Sequence, residues 1–288
     1  MTGPAGVPRV SVVVPTRDRP DRLAICLAAL ERQTVPELEI VVVDDASRDA
    51  VAVAAVVAGA PRARLVRGTG RGPAAARNAG VAAARAPVVC FTDDDCEPVP
   101  NWAVALADRL ADIADAADAV AGPTRNGRPR SVVAAAAQAV ATHLAEATID
   151  AVGRMRFAPT SNLACRAEVG AAVPFDESYP LAAGEDRDWC ARLVGSGRTL
   201  AFVPGALVRH HQELTPAGFW RQQVRYGRGA YRFRAGHGTL RRPEPLRFYL
   251  GLLRRGFADG VRAGLLVCVA QVATAVGMIQ EAAATRRR

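Results

Sequence analysis

The stretch "RVSVVVPTRDRPDRLAICLAALERQTVPELEIVVVDD", residues 9–45, decides the fold. Both ends are short runs rich in valine, and the middle is a longer stretch of alanine, leucine and charged residues. This pattern predicts a strand, a helix and a second strand, which is the repeating unit of a parallel sheet. The two apolar runs are continuous and do not alternate with polar residues, as is typical of strands buried on both faces.

The same alternation continues through the first 120 residues. "ARLVRG" (63–68) predicts a third strand, "PAAARNAGVAAARA" (73–86) a helix opened by its proline, and "PVVCFTDDD" (87–95) a fourth strand with a charged end. We expect the helix after the second strand to begin near Ser47, whose hydroxyl can cap free amide groups. The sequence therefore predicts an α/β domain with a mostly parallel sheet flanked by helices.

Beyond residue 120 the rhythm changes. "SVVAAAAQAVATHLAEATID" (131–150) predicts a helix, and "TSNLACRAEVG" (160–170) predicts a strand that runs into a helix. "GEDRDWCARLVGSG" (184–197) predicts a short helix, and "TLAFVPGALVRHH" (199–211) predicts one further strand. From Thr215 onward the chain is expected to be helical and basic.

Composition limits the classes of partner. The 288 residues are 50% hydrophobic and carry a formal charge of +9, which suits nucleic acid, anionic lipid or nucleotide phosphates. No RNA-binding signature or aromatic-interleaved basic helix is present, so we expect no nucleic-acid partner. Six cysteines without a CxxC pair exclude a zinc ribbon. The first ten residues lack the pattern of a signal peptide, so we expect a cytoplasmic protein.

Four polar stretches follow the four predicted strands: "PTRDRP", "DDAS", "GTGRGP" and "TDDDCE". Ligands of open α/β sheets lie beyond the carboxyl ends of the strands, so these stretches should meet at one edge. Acidic and basic groups would converge there. Such an edge can hold a nucleotide together with its metal ion.

Each acidic motif has a functional and a structural interpretation. Two of the three carboxylates in "TDDDCE" can bind one divalent cation that neutralises a diphosphate, or the triplet can be an acidic loop or a cluster at a helix start. Asp44 and Asp45 in "VVVDD" can accept hydrogen bonds from a base or ribose, or can cap the helix that follows. Glu185 and Asp186 open a helix, where one can act as a general base or simply stabilise the helix end.

When each basic motif is taken alone, its function is likewise undecided. In "RGTGRGPAAARNAG", glycines permit close backbone approach and Arg71 and Arg77 can reach phosphate oxygens, although neither a Walker A loop nor GxGxxG is present. In "VRHHQ", His210 or His211 can supply a nitrogen ligand to a metal, or the pair can be structural.

Together, the order of these pieces resembles glycosyltransferase family 2, the inverting enzymes with a GT-A fold. The resemblance spans about residues 9–235 and rests on seven segments in the family's order: "VSVVVPTRDRPDRLAICLAALERQT", "LEIVVVDDAS", "GPAAARNAG", "APVVCFTDDD", "TSNLACRAE", "GEDRDWCARL" and "VRHHQ" with "FWRQQVRYGRG" behind it. It implies a Rossmann-like nucleotide-diphospho-sugar transferase domain over residues 1–235, with a donor half (1–120) and an acceptor half (121–235). Residues 236–288 would form a helical C-terminal extension.

The resemblance also implies roles for individual residues. On the donor side it places Pro15, Thr16, Arg17, Asp44, Asp45, Arg71, Arg77, Asn78, Asp93 and Asp94, with Asp94 at the variable middle position of a DxD motif. The remaining roles are a metal ligand at Asp95, a second at His210, the catalytic base at Asp186, and the acceptor side at Glu185 and Trp189. The implied cofactor is a divalent metal, Mn²⁺ or Mg²⁺.

The function implied by the resemblance is transfer of one sugar, most simply from a UDP-sugar, to a hydroxyl of a lipid-linked or cell-envelope glycan. Tyr226 stands where polymerising relatives carry tryptophan in a QxxRW motif, which favours the non-processive branch. Two alternatives remain: a non-catalytic nucleotide-sugar-binding protein and a nucleotidyltransferase. The latter should carry a glycine-rich basic signature after its first strand, where this chain has "PTRDRPDRL".

The apolar run Ala263–Gln280 leaves three interpretations open. Its eighteen residues are close to the minimum for a membrane span or re-entrant segment. They can also form an interfacial helix on acidic lipid, or a helix packed on the domain or on a second subunit. The first two would place the chain at the inner face of the cell membrane.

Overall fold

The computed structural model describes residues 6–179, 181–238 and 244–286. Within them, one sheet has the strand order β3-β2-β1-β4-β8-β6-β9, and a small second sheet has the order β5-β10-β7. The strands are β1 (Val10–Thr16), β2 (Leu38–Asp44), β3 (Ala63–Arg67), β4 (Val88–Phe91), β5 (Cys96–Pro98), β6 (Ala119–Ala121), β7 (Thr124–Asn126), β8 (Leu163–Arg166), β9 (Leu200–Phe202) and β10 (Val208–His210). Helices flank the larger sheet, so the predicted α/β class is confirmed.

The first four strands of the large sheet run parallel. β1 pairs along its whole length with β2, from Val10 opposite Leu38 to Thr16 opposite Asp44, and β2 pairs with β3. β4 lies on the other side of β1, with Phe91 opposite Val13. This register brings the polar stretches that follow the strands to one edge, as the sequence predicts.

The second half of the sheet has mixed directions. β8 is antiparallel to both β4 and β6, and β9 is parallel to β6. The prediction of a single strand over residues 199–211 is wrong, because this segment forms two strands, β9 and β10, in different sheets. A turn at Pro204 and Gly205 separates them, and proline has no amide hydrogen with which to continue a ladder.

The helices are α1 (Pro20–Glu31), α2 (Ala50–Ala58), α3 (Pro73–Ala83), α4 (Trp102–Ala111), α5 (Val132–Glu146), α6 (Ala167–Ala172), α7 (Glu185–Gly195), α8 (Pro216–Gly236), α9 (Leu246–Ala258) and α10 (Val261–Thr285). α3 begins at its proline, as predicted. The expected start of α2 near Ser47 is corrected by two residues, because the Asp49 side chain accepts the amide hydrogen of Ala52 at 2.9 Å. The Ser47 hydroxyl instead accepts the amide hydrogen of Asp18.

Two apolar layers enclose the sheet. On one face, Val12 and Val14 contribute to a cluster with residues of α1, α2 and α4. On the other face, Val13 belongs to a cluster with residues of α3, α6 and α7. Each fully buried valine of β1 contributes roughly 1.5–3 kcal/mol relative to an exposed one. Because successive side chains of β1 pack into opposite layers, the register of β1 is fixed, and with it the position of its carboxyl end.

The C-terminal helices pack onto the domain through glycines. A Cβ atom on Gly227 of α8 would lie 2.0 Å from the carbonyl oxygen of Thr274, and one on Gly277 of α10 would lie 2.0 Å from that of Val224. Only glycine permits such close contact between the two helix backbones. Glu281, near the end of α10, is buried and pairs with arginines of α8. The apolar run is thus packed on the domain along one face. The predicted domain division at residue 235 stays a prediction.

Candidate active site

The acidic triplet forms the turn between β4 and β5, and its three members differ in exposure. The side chain of Asp93 is 27% exposed, that of Asp94 is fully buried, and that of Asp95 is 12% exposed. The turn is closed by a hydrogen bond from the amide of Cys96 to the carbonyl of Asp93. The two outer carboxylates therefore face the edge where the parallel strands end, and the middle one faces the protein interior.

His210 reaches the triplet because β10 pairs with β5 and places His210 opposite Cys96. Its Nε2 atom lies 3.1 Å from Oδ1 of Asp95, although no described residue donates to that oxygen in hydrogen-bond geometry. The possible ligand atoms of Asp93, Asp95, Cys96 and His210 all lie within 4.8 Å of one another. Carboxylate oxygens with one imidazole nitrogen fit Mn²⁺ or Mg²⁺, whereas the buried Cys96 thiol is a ligand for softer metals.

Positive charge already balances Asp95. Burial raises the pKa of its carboxyl group, but the charges of His210 and Arg19 outweigh burial and bring the pKa to about 2. Arg19 donates to Oδ2 of Asp95 at 3.1 Å and also pairs with Asp94. The sequence analysis missed Arg19, although its position in the basic loop "PTRDRP" is a usable signal. A divalent cation bound by Asp95 and by a deprotonated His210 would replace the charge of the imidazolium and compete with Arg19 for the Asp95 carboxylate.

Asp94 has a structural environment. Its Oδ2 atom accepts a hydrogen bond from the Thr16 hydroxyl at 2.7 Å, and burial raises its pKa to about 7. A fully buried side chain offers no surface to a donor. The structure therefore corrects the expected donor contact of Asp94: this residue ties the acidic turn to the end of β1.

The second acidic pair lies at the end of β2, which is separated from β4 by β1 along the same edge. Both carboxylate oxygens of Asp44 are engaged, since one accepts a hydrogen bond from the Ser47 amide at 3.0 Å and the other accepts one from Arg67. Asp45 accepts the amide hydrogen of Gly72 at 2.9 Å, and its Oδ1 atom makes no hydrogen bond with a described residue. The partly exposed Arg17 is 3.9 Å from Asp45, and Pro15 is half-buried in β1. Asp45 is thus the member of the pair with a free acceptor.

The segment expected along the donor divides into exposed and buried residues. Arg71 is largely exposed and pairs with Glu177 at 2.8 Å. Asn78 exchanges two hydrogen bonds with the backbone of Phe175 and donates a third to Glu177, so it fixes the chain that leads to α7. Arg77 is buried and forms ion pairs with Asp93 at 3.1 Å and Glu185 at 3.0 Å. Arg71 alone of these three side chains extends into solvent.

Helix α7 carries the candidate base in its first turn. Gly184 precedes the helix with φ of +94°, a conformation that favours glycine. Glu185 is buried, and Asp186 is half-buried with Oδ1 accepting the amide hydrogen of Arg187. Burial, together with the neighbouring Glu185 carboxylate, raises the pKa of Asp186 to about 7. Its second oxygen makes no hydrogen bond to any described residue.

The sequence led us to expect Trp189 on the acceptor side, but the structure places it in the core. Its ring is fully buried, stacks on Phe175 with centroids 5.5 Å apart, and donates from Nε1 to the carbonyl of Val173. A side chain without exposed surface cannot contact a substrate. The ring packs beneath α7 and supports the first turn from within the core.

His211 occupies a position apart from the metal-ligand cluster. Its ring lies 3.0 Å from Glu97, and its amide donates to the carbonyl of Asp95. His210 is the member of the pair that faces the acidic turn, which is the arrangement that the resemblance implies.

Two family descriptions match the chain: Glycosyl transferase family 2 over residues 11–142, and Glycosyl transferase family group 2 over residues 119–281. The second match alone covers more than half of the sequence. The chain belongs to glycosyltransferase family 2. The resemblance predicted from the seven segments is confirmed.

Relatives of this family 2 chain include two curated proteins. The pre-mycofactocin glycosyltransferase of Mycobacterium tuberculosis is 28% identical over 225 residues, which are 77% of this chain and 46% of that protein. Glycosyltransferase AglE of Haloferax volcanii is 27% identical over 230 residues, which are 77% of this chain and 73% of AglE. The chain therefore spans about half the length of the first relative.

Solved structures support the same fold. The mannosyltransferase PcManGT from Pyrobaculum calidifontis, in complex with GDP-Man and Mn²⁺, is 20% identical with a TM-score of 0.59 over 93% of this chain and 74% of PcManGT. TarS of S. aureus is 15% identical with a TM-score of 0.56 over 92% of this chain and 53% of TarS. These likenesses confirm the predicted GT-A fold.

Proposed function

We propose that this family 2 chain is an inverting, metal-dependent glycosyltransferase that moves one sugar from a nucleotide-diphosphate donor to an acceptor hydroxyl. The observation that carries this proposal is the meeting of two groups of residues. Asp93, Asp95 and His210 form one cluster, and the buried Arg77 joins Asp93 to the first turn of α7, where Asp186 lies. A donor-holding site and a candidate base thus share one edge of the sheet.

The donor would lie along the ends of the parallel strands. Asp45 would accept from a base or ribose hydroxyl at Oδ1, which is buried and makes no hydrogen bond with a described residue, and Arg17 and Arg71 carry partly exposed guanidinium groups. We propose UDP as the nucleotide, as the family resemblance favours. PcManGT binds GDP-Man, so a guanosine donor is the natural comparison.

Asp95 and His210 would hold the metal, with Asp93 beside them. Oδ1 of Asp95 lies 3.1 Å from the His210 ring nitrogen and receives no hydrogen bond from a described residue, which supports a shared cation. A divalent ion bound there supplies positive charge to the leaving nucleoside diphosphate. We propose Mn²⁺ or Mg²⁺, because the ligand set consists of oxygen and nitrogen atoms.

Asp186 would act as the base. A carboxylate with its pKa raised to about 7 is suited to accept a proton from an acceptor hydroxyl near neutral pH. Its second oxygen is free for that hydrogen bond. As the hydroxyl attacks the anomeric carbon and the diphosphate leaves, a single displacement inverts that carbon.

Two other functions remain as outcomes of a test. A non-catalytic nucleotide-sugar-binding protein is disfavoured because Asp95, Asp186 and His210 are all retained. A nucleotidyltransferase is disfavoured because the loop after β1 reads "PTRDRPDRL" and lacks the glycine-rich basic signature expected there.

A donor panel tests the proposal. The purified chain is incubated with Mn²⁺ or Mg²⁺ and UDP-glucose, UDP-galactose, UDP-N-acetylglucosamine or GDP-mannose, and nucleoside diphosphate release and thermal shift are recorded. We expect one donor to stabilise the chain and to be cleaved slowly to its diphosphate. Asp186→Asn should keep the thermal shift and lose cleavage. Asp188→Asn, the same change on the same helix at a residue paired with Arg192, should retain cleavage.

Three results would count against the proposal. Binding of a donor without cleavage or transfer by the wild type would favour the non-catalytic alternative. Release of pyrophosphate from a nucleoside triphosphate and a sugar phosphate would favour the nucleotidyltransferase. Full cleavage by Asp186→Asn would remove this residue from the role of base.

We further propose that the acceptor is a lipid-linked or cell-envelope glycan and that the chain contacts the membrane surface through α10. α10 has two faces. One face packs on the domain through Ala263, Val267, Ala270, Gly277 and Glu281, all of them buried. The opposite face exposes Leu265, Val272 and Ile279, which recur every seven residues.

The proposed occupant of this exposed face is an anionic bilayer surface. Among the described residues, α10 alone is long and apolar enough to cross a bilayer, with a mean hydropathy of 1.8 over its best window. Its packed face, however, meets charged side chains of α8, which favours a helix that lies on the membrane. Arg247 and Arg254 on α9, which packs against α10, and Arg262 on α10 are exposed and form no ion pair with a described residue. The inner leaflet supplies the matching negative charge.

Liposome flotation tests this contact. The wild type should float with vesicles that contain phosphatidylglycerol and not with pure phosphatidylcholine. Val272→Glu should abolish flotation, whereas Val51→Glu, the same change at an exposed valine of α2, should not. If the wild type stays in solution as a dimer and Val272→Glu makes it monomeric, the face is a subunit interface and the membrane proposal is wrong.

A further inference from the structure

Three separate elements meet at the side chain of Arg77. The residue lies in the second turn of α3, and its guanidinium group donates from one nitrogen to Asp93 and from another to Glu185. Asp93 belongs to the acidic turn, and Glu185 is the first residue of α7. The positions of these residues in the chain differ by as many as 108, so only the tertiary fold brings them together.

The environment of Arg77 excludes the phosphate contact expected from the sequence. The side chain is 5% exposed, its carbon stem is covered, and its guanidinium carbon lies 5.8 Å from the centre of the Phe175 ring. Two carboxylates already satisfy its charge. A buried cation with two buried or half-buried anionic partners is a fixed structural connection, because removing either partner would leave a charge without compensation.

We propose that Arg77 is a positioning residue that holds the first turn of α7 against the acidic turn and thereby sets the place and the charge environment of Asp186. The proposal rests on the proposed role of Asp186 as base. Glu185 transmits the effect: one of its oxygens is fixed by Arg77, and the other is buried without a hydrogen-bond partner in the described residues. The two carboxylates in sequence at the start of α7 then have different tasks, one structural and one chemical.

The proposal predicts opposite electrostatic effects for the two partners. The negative charge of Glu185 disfavours ionisation of Asp186, whereas the positive charge of Arg77 favours it. Removing the Glu185 charge should therefore lower the pKa of Asp186, and removing the Arg77 charge should raise it. Among the described residues, further titratable groups near Asp186 are Cys190 on its own helix, Asp93 on the acidic turn and Tyr226 on α8. All three remain unchanged in the variants.

Carboxyl ¹³C NMR measures the titration directly and without turnover. The full chain is labelled at aspartate Cγ and titrated in EDTA, and the Asp186 signal is assigned from its absence in Asp186→Asn. In Glu185→Gln the midpoint of Asp186 should fall by about one pH unit, and in Arg77→Gln it should rise by a similar amount. Arg62→Gln removes an arginine paired with Glu31 at the far end of the sheet and should leave the midpoint unchanged.

The comparison separates a positioning role from a merely structural one. If Arg77 only stabilised the fold, its variant would lower the melting temperature, as we expect of Arg62→Gln, without moving the Asp186 midpoint. Midpoints in Glu185→Gln and Arg77→Gln that equal the wild type, or that shift in the same direction, would overturn the proposal. If Arg77→Gln does not fold, an unshifted Asp186 midpoint in Glu185→Gln is by itself enough to overturn the proposal. The titration needs no donor, so failure of the donor panel leaves this result independent.

Discussion

Asp93, Asp94 and Asp95 have the same chemistry and three different environments. Asp95 faces His210, Asp93 faces Arg77, and Asp94 faces the Thr16 hydroxyl in the interior. The resemblance implies that Asp95 is a metal ligand and Asp93 a donor contact, and both roles stay predictions. It also treats Asp94 as a variable position with a donor contact. The burial of Asp94 could not be predicted, because it depends on the direction of a turn and not on strand or helix periodicity.

Replacement of Asp94 should cost stability. Asp94→Ala leaves the buried Thr16 hydroxyl without its acceptor and Arg19 without one of its two carboxylates, so we expect the free energy of unfolding to fall by about 1–3 kcal/mol. The partial exposure of Arg19 limits its share of this loss. Asp94→Asn keeps an acceptor for Thr16 and should lose less. Urea unfolding of the apoprotein measures both, and an Asp94→Ala chain as stable as the wild type would contradict the structural role.

At the scale of elements, strong periodic patterns predicted the structure well. The four parallel strands and α1, α3 and α7 occur where the apolar runs and helix starts predict them. The errors arose where local signals compete. Asp49 caps α2 in place of Ser47 because Ser47 accepts a hydrogen bond from the first loop. The resemblance implied that Trp189 lies on the acceptor side, but the helix turns its ring inward onto Phe175.

The contact between α8 and α10 gives a prediction at this scale. Gly227→Ala places a methyl group about where the Thr274 carbonyl oxygen lies, so the helices must separate, and we expect a loss of about 1–3 kcal/mol of unfolding free energy. Gly236→Ala lies at the end of the same helix, where the new methyl group meets no described residue within 4 Å outside its own helix, and it should be neutral or stabilising. Denaturant unfolding of the two variants makes the comparison. Equal stabilities would mean that the two helices do not pack in this way.

At the scale of the whole molecule, the site depends on topology. The end of β1, the acidic turn after β4 and the start of α7 are distant in sequence and meet at one edge of the sheet. The rule for parallel sheets predicted that meeting for the four strand ends. It could not predict that Arg77 would be buried between Asp93 and Glu185, because that depends on how α3 and α7 pack on one face. The position of α10 was likewise open among three interpretations; its glycine contacts with α8 show that one face is packed on the domain, and the flotation experiment tests what covers the other face.

Calorimetric titration of Mn²⁺ in the presence of UDP, and separately of GDP, tests the central claim most directly. The account predicts binding to the wild type and a loss of at least about tenfold in affinity, roughly 1.4 kcal/mol, in Asp95→Asn and in His210→Gln. Glu97→Gln, which alters a carboxylate two residues away that faces His211, should bind as the wild type does. Equal Mn²⁺ affinity in all four proteins, with either nucleotide, would contradict the proposed metal and donor site.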